Sequence, residues 1–193
     1  MTDLTNWTAR PLPGAEPLVG RHITVEPVVD DRHFGALEAA FAGNEALWTY
    51  LAYGPFDGSD AFWRFATSTY LGSDPLFHAI VSRDTGKAKG VAALMRLDPA
   101  NGVAEIGHIC FGSGLQRTRA ATEAYALLFA RVFDELGYRR LEWKCDSGNA
   151  PSRRAAARLG FQPEGVFRQH MVVKGRNRDT SWFSILDSEW PSV

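Results

Sequence analysis

The segment EIGHICFGSGLQRTRAATEAY, residues 105–125, changes its hydrophobic period half-way along and thereby decides the fold. Its first half belongs to the run VAEIGHICF (103–111), which reads as a β-strand. From Thr118 onward, apolar residues recur at helical spacing, and Gly137 follows where a left-handed helix end is expected. That apolar stripe consists of Ala121, Tyr125, Leu128, Val132 and Leu136. The segment therefore predicts a strand, a turn and an amphipathic helix.

The predicted start of this helix carries Gln116, Arg117 and Arg119, although the positive end of a helix dipole ordinarily favours acidic side chains. The first four N–H groups of a helix have no internal partner, so such a start suits an anion. The small side chains of Ala120 and Ala121 permit close backbone approach, which favours a pyrophosphate. The alternative is that these arginines lie on the solvated face of an ordinary amphipathic helix.

Strands and helices alternate on both sides of this segment. The runs FHAIVS (77–82), KGVAALMRL (89–97) and 103–111 read as an antiparallel meander, because only short turn sequences separate them. RHITVEPV (21–28) reads as a first strand, and two helical patterns follow it. These patterns cover Phe34 to Phe41 and about 57–71.

Downstream of the helix, RRLEWKC (139–145) reads as a strand, and Asn149 occupies an N-cap position before a helix that Gly160 ends. Strands at about 164–173 and 179–186 then form a terminal hairpin. This order predicts an α+β fold with a mixed, mostly antiparallel central sheet of about seven strands flanked by helices. We expect a leader over 1–20 and a single domain over 21–193.

Composition narrows the function classes. The 193 residues include 21 basic and 22 acidic side chains, and a net charge of -1 gives no general attraction to nucleic acid or anionic membranes. The sequence shows no signal peptide and no apolar run of membrane-spanning length, so we expect a cytoplasmic protein. Cys110 and Cys145 lie in strand-like runs without metal-binding spacing and are interpreted as reduced core thiols.

Four consecutive segments of the chain together resemble the GNAT superfamily of acyl-CoA-dependent N-acetyltransferases. They are the run from Glu105, the helix ending in LGY, the strand RRLEWKC and the segment DSGNAPSRRAAARLGFQPEGVFRQH. The resemblance extends from about Gly20 to Trp190 and is strongest to the branch that includes the ribosomal-protein N-terminal (alanine/serine) acetyltransferases. It implies a GNAT-like acyltransferase fold, acetyl-CoA as cosubstrate and no metal.

The resemblance also implies which residues bind the cosubstrate. In the family's pyrophosphate signature, Gln116 matches the start and Ala121 the end, whereas Arg119 replaces the first glycine. Arginine disfavours a positive φ, so we expect either that the loop is already helical at Arg119 or that its path differs. The expected pyrophosphate contacts are Gln116, Arg117, Thr118, Arg119, Ala120, Ala121 and Thr122. The expected contacts with the pantetheine arm and thioester are Ile109, Cys110, Phe111, Asn149 and Ser152, where Asn149 could equally be only a helix cap and Ser152 a first-turn residue.

Amine acylation needs a proton acceptor for the amine and a proton donor for the departing thiolate. Glu105 is the candidate acceptor, with a cross-strand ion pair as its alternative, and Ser152 is the candidate donor. His108 competes as the base, although strand alternation puts it opposite Glu105 unless a bulge intervenes. A metal at His108 and Cys110 lacks two further ligands. Cys145 lacks a histidine partner for nucleophilic catalysis.

Acceptor binding is assigned to the segment GNEALWTYLAYGPF (43–56), where the resemblance directs attention. Trp48, Tyr50, Tyr53 and Phe56 suit a pocket wall or lid and equally suit a core. Arg168 on the terminal hairpin, with His170 and Trp182, is expected on the opposite wall.

The sequence thus predicts an acyl-CoA-dependent N-acyltransferase that transfers an acetyl group to a primary amine in a ternary complex. The amine could belong to a protein N-terminus or to a small molecule. A catalytically silent CoA-binding or sensor module is the alternative, and a nucleic-acid-binding domain fits the charge balance poorly. The apolar terminal hairpin could pair across a homodimer.

Overall fold

A computed structural model describes residues 3–193 and contains a single eight-stranded sheet in the order β1-β2-β3-β4-β5-β6-β8-β7. The strands are β1 Leu18–Val19, β2 Ile23–Pro27, β3 Leu76–Ser82, β4 Ala88–Asp98, β5 Val103–Phe111, β6 Arg140–Asp146, β7 Gln162–Val173 and β8 Arg176–Leu186. The helices are α1 Asp30–Phe41, α2 Gly58–Tyr70, α3 Arg119–Ala130 and α4 Ala150–Arg158. Short 3₁₀ turns cover Glu45–Trp48 and Trp190–Ser192, and a π-helical turn, Arg131–Glu135, continues α3.

Six of the seven neighbouring strand pairs are antiparallel, and β5 with β6 is the parallel pair. Parallel neighbours need a crossover, which α3 supplies. The predicted mixed, mostly antiparallel α+β fold is confirmed. Its strand count rises from about seven to eight because β1, a two-residue strand, pairs with β2 inside the segment expected as a leader.

Two apolar cores hold helices against opposite faces of the sheet. On one face the predicted stripe of α3 is buried, with Leu128 fully buried beside Phe129 and Ile106. On the other face α1 and α2 bury Phe34 and Phe62. Each such side chain contributes about 1.5–3 kcal/mol when fully buried. The sheet is consequently clamped between two helix layers, and α3 and α4 belong to the same layer.

The N-terminal segment is tied to the end of α3. The guanidinium of Arg131 is buried and donates hydrogen bonds to the carbonyl oxygens of Gly14 (3.0 Å) and Glu16 (2.9 Å). Trp7 Nε1 donates to the carbonyl oxygen of Ala100 at 2.7 Å. Residues 7–16 therefore pack on the domain, and the division at residue 20 stays a prediction. None of the helices within residues 3–193 is long and apolar enough to cross a membrane.

Candidate active site

The parallel strands β5 and β6 pair over only part of their length. Val103 to Ile106 pair with Arg140 to Trp143, after which β5 follows β4 and β6 follows β8. A cleft of about 530 Å³ opens where the two strands part. Ile109, Cys110 and Phe111 of β5 and Trp143 to Asp146 of β6 border it.

A β-bulge shapes the β5 side of this cleft. Gly107 pairs with Ala93 and Cys110 with Val91, so that His108 and Ile109 together oppose Ala92. His108 adopts a positive φ of 50°. A regular strand would send Glu105 and His108 to opposite faces, whereas the bulge lets both line the cleft.

His108 is held by aromatic neighbours. Its ring stacks on Tyr53 with centroids 5.7 Å apart, and Nδ1 lies 3.2 Å from the Tyr53 hydroxyl. Phe77 packs on the ring at a centroid distance of 5.1 Å. Burial, and secondarily the positive charge of Arg96, lowers the pKa of His108 from its usual value. The imidazole is therefore neutral, and able to accept a proton, at neutral pH.

Glu105 lies at the centre of an ion-pair network. Its Oε2 accepts hydrogen bonds from Lys144 Nζ at 2.7 Å and from Arg96 Nη1 at 3.0 Å. Lys144 Nζ also lies 2.7 Å from Glu142 Oε2 and 3.8 Å from the centroid of the Trp182 ring. The carboxylate thus has the cross-strand partners that the sequence left open as an alternative, while its role as a base stays a prediction.

The start of α3 forms one side of the cleft region. The helix begins at Arg119, so the chain is already helical at the position where the family signature has its first glycine. The positive φ (60°) falls on Arg117 instead. Thr118 caps the helix: its Oγ1 accepts from Ala121 N at 3.1 Å and donates to the carbonyl oxygen of Leu115 at 2.6 Å.

This cap decides which backbone donors are free. Ala121 N–H and Thr122 N–H are already bound to the Thr118 side chain and carbonyl oxygen. Within residues 3–193, the N–H groups of residues 117–120 have no acceptor. These four groups, at the positive end of α3, form the candidate anion site.

Two further contacts fix the neighbouring backbone. Gln116 Nε2 donates to the carbonyl oxygen of Phe111 at 2.7 Å and so ties the loop to the end of β5. Asn149 Oδ1 caps α4 by accepting from Ser152 N at 3.1 Å. Ser152 Oγ accepts from Trp143 Nε1 at 3.0 Å, and Ser152 lines the cleft.

The aromatic segment 43–56 divides between cleft and core. Tyr50 lines the cleft and donates from its hydroxyl to the carbonyl oxygen of Gly148 at 3.0 Å. Trp48, Tyr53 and Phe56 pack against the core of α1 and α2. Arg168 lies exposed on β7, where its charge helps to lower the pKa of Asp179, after the hydrogen bonds from Gln169 and Asn177. As acceptor contacts, these residues stay predictions.

The comparisons with known proteins settle the family. The family described as "Acetyltransferase (GNAT) domain" matches residues 22–162, which is more than half of the chain. The chain belongs to the GNAT acetyltransferase family. Its predicted resemblance is thereby confirmed, and members of this family take the acetyl group from acetyl-CoA.

Individual relatives agree with this assignment. A GCN5-related N-acetyltransferase from Brucella melitensis has 50% sequence identity and a TM-score of 0.95, covering 97% of this chain and 86% of that chain. "Uncharacterized N-acetyltransferase p20" of Bacillus licheniformis is 33% identical over 58% of this chain and 62% of its own length. "Putative ribosomal N-acetyltransferase YdaF" of Bacillus subtilis strain 168 is 32% identical over 54% and 57%. The chain thus spans about three-fifths of the length of these two curated relatives.

Both cysteines of this GNAT acetyltransferase remain protonated thiols. Burial raises the pKa of Cys110 to about 12. It also raises the pKa of Cys145, although the nearby Ser152 hydroxyl and the charge of Arg178 act in the opposite direction. No group of three or more potential metal-ligating side chains occurs in the part of the chain that the structure describes.

Sequence reasoning missed several polar residues of the cleft. Lys144 could have been found, because alternation along RRLEWKC puts it on the same face as Glu142. Arg96, Thr180 and Arg178 carry no such signal, since their positions depend on pairing between distant strands.

Proposed function

We propose that this GNAT acetyltransferase transfers the acetyl group of acetyl-CoA to a primary amine by direct attack within a ternary complex. The observation that carries the proposal is the separation of β5 from β6 beside the starts of α3 and α4. Such a gap can hold an extended thioester arm. Backbone groups along one side of the gap can pair with the arm, and the anion site lies at the far end. The amine belongs to a protein N-terminus or to a small molecule.

For the donor, we assign the diphosphate to the free N–H groups of residues 117–120. The guanidinium groups of Arg117 and Arg119, both exposed beside this site, add charge-assisted contacts. The pantetheine arm follows β5 along Ile109, Cys110 and Phe111. This direction brings the thioester toward Ser152 and His108, which line the same cleft.

We assign removal of the amine proton to His108. Its lowered pKa keeps the imidazole in the accepting form, and the Tyr53 oxygen is placed to accept from Nδ1–H. When Nδ1–H donates to the Tyr53 oxygen, Nε2 keeps the lone pair that a base needs. Glu105 is the weaker candidate because Lys144 and Arg96 already occupy its carboxylate. Its contribution is to hold these two cations in place.

Ser152 is assigned as the donor that protonates the departing thiolate. Trp143 Nε1 occupies an acceptor position of the Ser152 oxygen, so the hydroxyl proton can point to another group. The protonated state of Cys110 and Cys145 disfavours an acyl-enzyme and supports direct attack.

A thiol-release assay with acetyl-, succinyl- and longer acyl-CoA donors, run against amines and peptides, tests the proposal. We expect His108→Gln to lower kcat/KM by about 10²- to 10³-fold, because general-base catalysis contributes on that order. Ser152→Ala should lower kcat with little change in the KM for acetyl-CoA. Glu105→Gln should mainly lower the free energy of unfolding and should have a smaller effect on kcat than His108→Gln.

The assay also separates the alternatives. Acetyl-CoA binding without thiol release from any amine would identify a silent CoA-binding module. Turnover unchanged in His108→Gln and strongly reduced in Glu105→Gln would return the role of base to Glu105.

A further inference from the structure

A second cavity, of about 590 Å³, adjoins the central cleft on its acceptor side. It lies between the segment 45–55 and the turn that joins β7 to β8. The two cavities share four lining residues, which are Ala46, Tyr50, Asp146 and Arg178. A molecule in the second cavity can therefore extend past Arg178 into the central cleft.

Strand alternation places Arg178 away from the donor. On β8, residues 178, 180 and 182 point to one face, and Trp182 on that face contacts Lys144, the ion-pair partner of Glu105. On β6, Trp143 and Cys145 point to the opposite face, where α3 and α4 lie. Arg178 thus belongs to the face opposite the free backbone donors of α3.

The charge of Arg178 has no internal partner. Within residues 3–193 its guanidinium makes no hydrogen bond or ion pair, and its Nε is buried without an acceptor. The cleft's other basic side chains are already paired, since Arg96 and Lys144 both bind Glu105. A half-buried guanidinium without an acceptor is unfavourable, so an anionic ligand group would be stabilised there.

The charges around the second cavity are mixed, with a basic excess. The second cavity is lined by the basic residues Lys174, Arg176 and Arg178 and by the acidic residues Glu45 and Asp146, which gives it one excess positive charge. Lys174 Nζ donates to the carbonyl oxygen of Trp48 at 2.7 Å, so it holds the cavity wall together. Arg178 is the basic residue that borders both cavities.

We propose that the acceptor is an amine that also carries an anionic group, a carboxylate or a phosphate, and that Arg178 binds this group. The inference rests on the proposed function and adds the substrate class. The planar guanidinium can donate two parallel hydrogen bonds to either anion, which fixes the orientation of the molecule. With its anionic end on Arg178, the acceptor directs its amine along the cleft toward His108.

Matched acceptors test this proposal. Thiol release is measured with α-amino acids against their carboxamides, and with aminoalkyl phosphates against the corresponding amino alcohols. We expect at least one anionic acceptor to exceed its neutral counterpart by about 10-fold or more in kcat/KM. Arg178→Gln should remove that preference by raising the KM of the anionic member much more than that of the neutral member, and Arg178→Lys should retain part of it.

Arg64→Gln is the control, because Arg64 is exposed on α2 and lines neither cavity. Equal turnover of every matched pair by the wild-type protein, or an equal loss on both members in Arg178→Gln, would overturn the inference and leave the proposed function intact. If no amine is acetylated, the proposed function fails. Calorimetry then tests the inference alone, by measuring how tightly the anionic amines bind in the presence of desulfo-CoA. If they do not bind, or if they bind Arg178→Gln equally well, the inference is overturned.

Discussion

In the proposed function, the two walls of the cleft recognise their ligands by different means. The donor wall, made by the end of β5 and the start of α3, offers the backbone N–H groups of residues 117–120, which precede those bound by the Thr118 cap. The acceptor wall offers side chains, chiefly His108, Glu105 and Arg178, held by aromatic and ionic contacts. Backbone groups survive most substitutions, whereas side chains do not. The comparison teaches that donor binding should change only when the path of the chain changes, and acceptor use should change with single side chains.

The largest effect is expected where a side chain would move the donor wall itself. A Cβ at Gly112 would meet the carbonyl oxygens of Ala40 at 2.5 Å and Lys89 at 3.0 Å, and neither backbone group can yield. Gly112→Val should lower the free energy of unfolding by about 3 kcal/mol and weaken acetyl-CoA binding. Urea denaturation and calorimetry measure both quantities.

Gly114→Val is the matched control, since a Cβ at exposed Gly114 has no neighbour within 4 Å and its φ is not positive. It should change stability by less than about 0.5 kcal/mol. Equal losses in the two variants would contradict the assigned role of Gly112.

The next effect concerns the Thr118 cap, which fixes the start of α3 beside the free donors. Thr118→Ala removes the hydrogen bonds to Leu115 and Ala121 and should cost about 1 kcal/mol of stability. The KM for acetyl-CoA should rise about 3- to 10-fold while the KM for the amine stays constant. Thr118→Ser keeps the hydroxyl and should behave as the parent. A change confined to the amine KM would refute the division between the walls.

On the acceptor wall, Tyr53→Phe tests whether the Tyr53 hydroxyl affects catalysis without affecting donor binding. The ring and its stacking on His108 remain, and only the hydroxyl next to Nδ1 is lost. We expect kcat to fall about 5- to 10-fold, with both KM values and the melting temperature nearly unchanged. Initial-rate kinetics with varied amine checks this. A rise in the KM for acetyl-CoA instead would place Tyr53 in donor binding.

The smallest effect is a shift in the pH profile. In its proposed role as the base, His108 must be unprotonated, so we expect activity to fall as pH drops through its pKa, which burial and Arg96 keep below the usual 6.5. Arg96→Gln removes the nearby positive charge, so the pKa of His108 should rise and the acidic limb of kcat/KM should move to higher pH. Arg83→Gln, an exposed change at the end of β3, should leave the limb in place. A limb that moves to lower pH in Arg96→Gln would exclude His108 as the titrating group.

Much of this fold follows from hydrophobic period alone. The stripe on α3 and the three strands of the meander were predictable because their apolar faces repeat at 3.6 and 2 residues. The strand β1 escaped prediction because two residues carry no period, and its existence depends on pairing with β2. The π-helical turn Arg131–Glu135 interrupts no apolar stripe and left no sequence signal.

The candidate site was less predictable than the fold. The positive φ value at Arg117 falls on a residue type that does not favour it, so surrounding contacts rather than local propensity set the backbone there. The sequence could state only that Glu105 and His108 would meet if a bulge intervened. The partners of Glu105 come from β4 and β6, and such pairing across distant strands is fixed only when the sheet forms.

The bulge in β5 also limits which insertions and deletions this strand can tolerate. Because one additional residue at 108–109 lets His108 line the same cleft as Glu105 just past the last β5–β6 pair, deleting Ile109 would return His108 to the opposite side and restore an even ladder with β4. Natural variants of this protein should consequently tolerate exchanges of side chains along β5 far better than any gain or loss of a residue between Ile106 and Cys110.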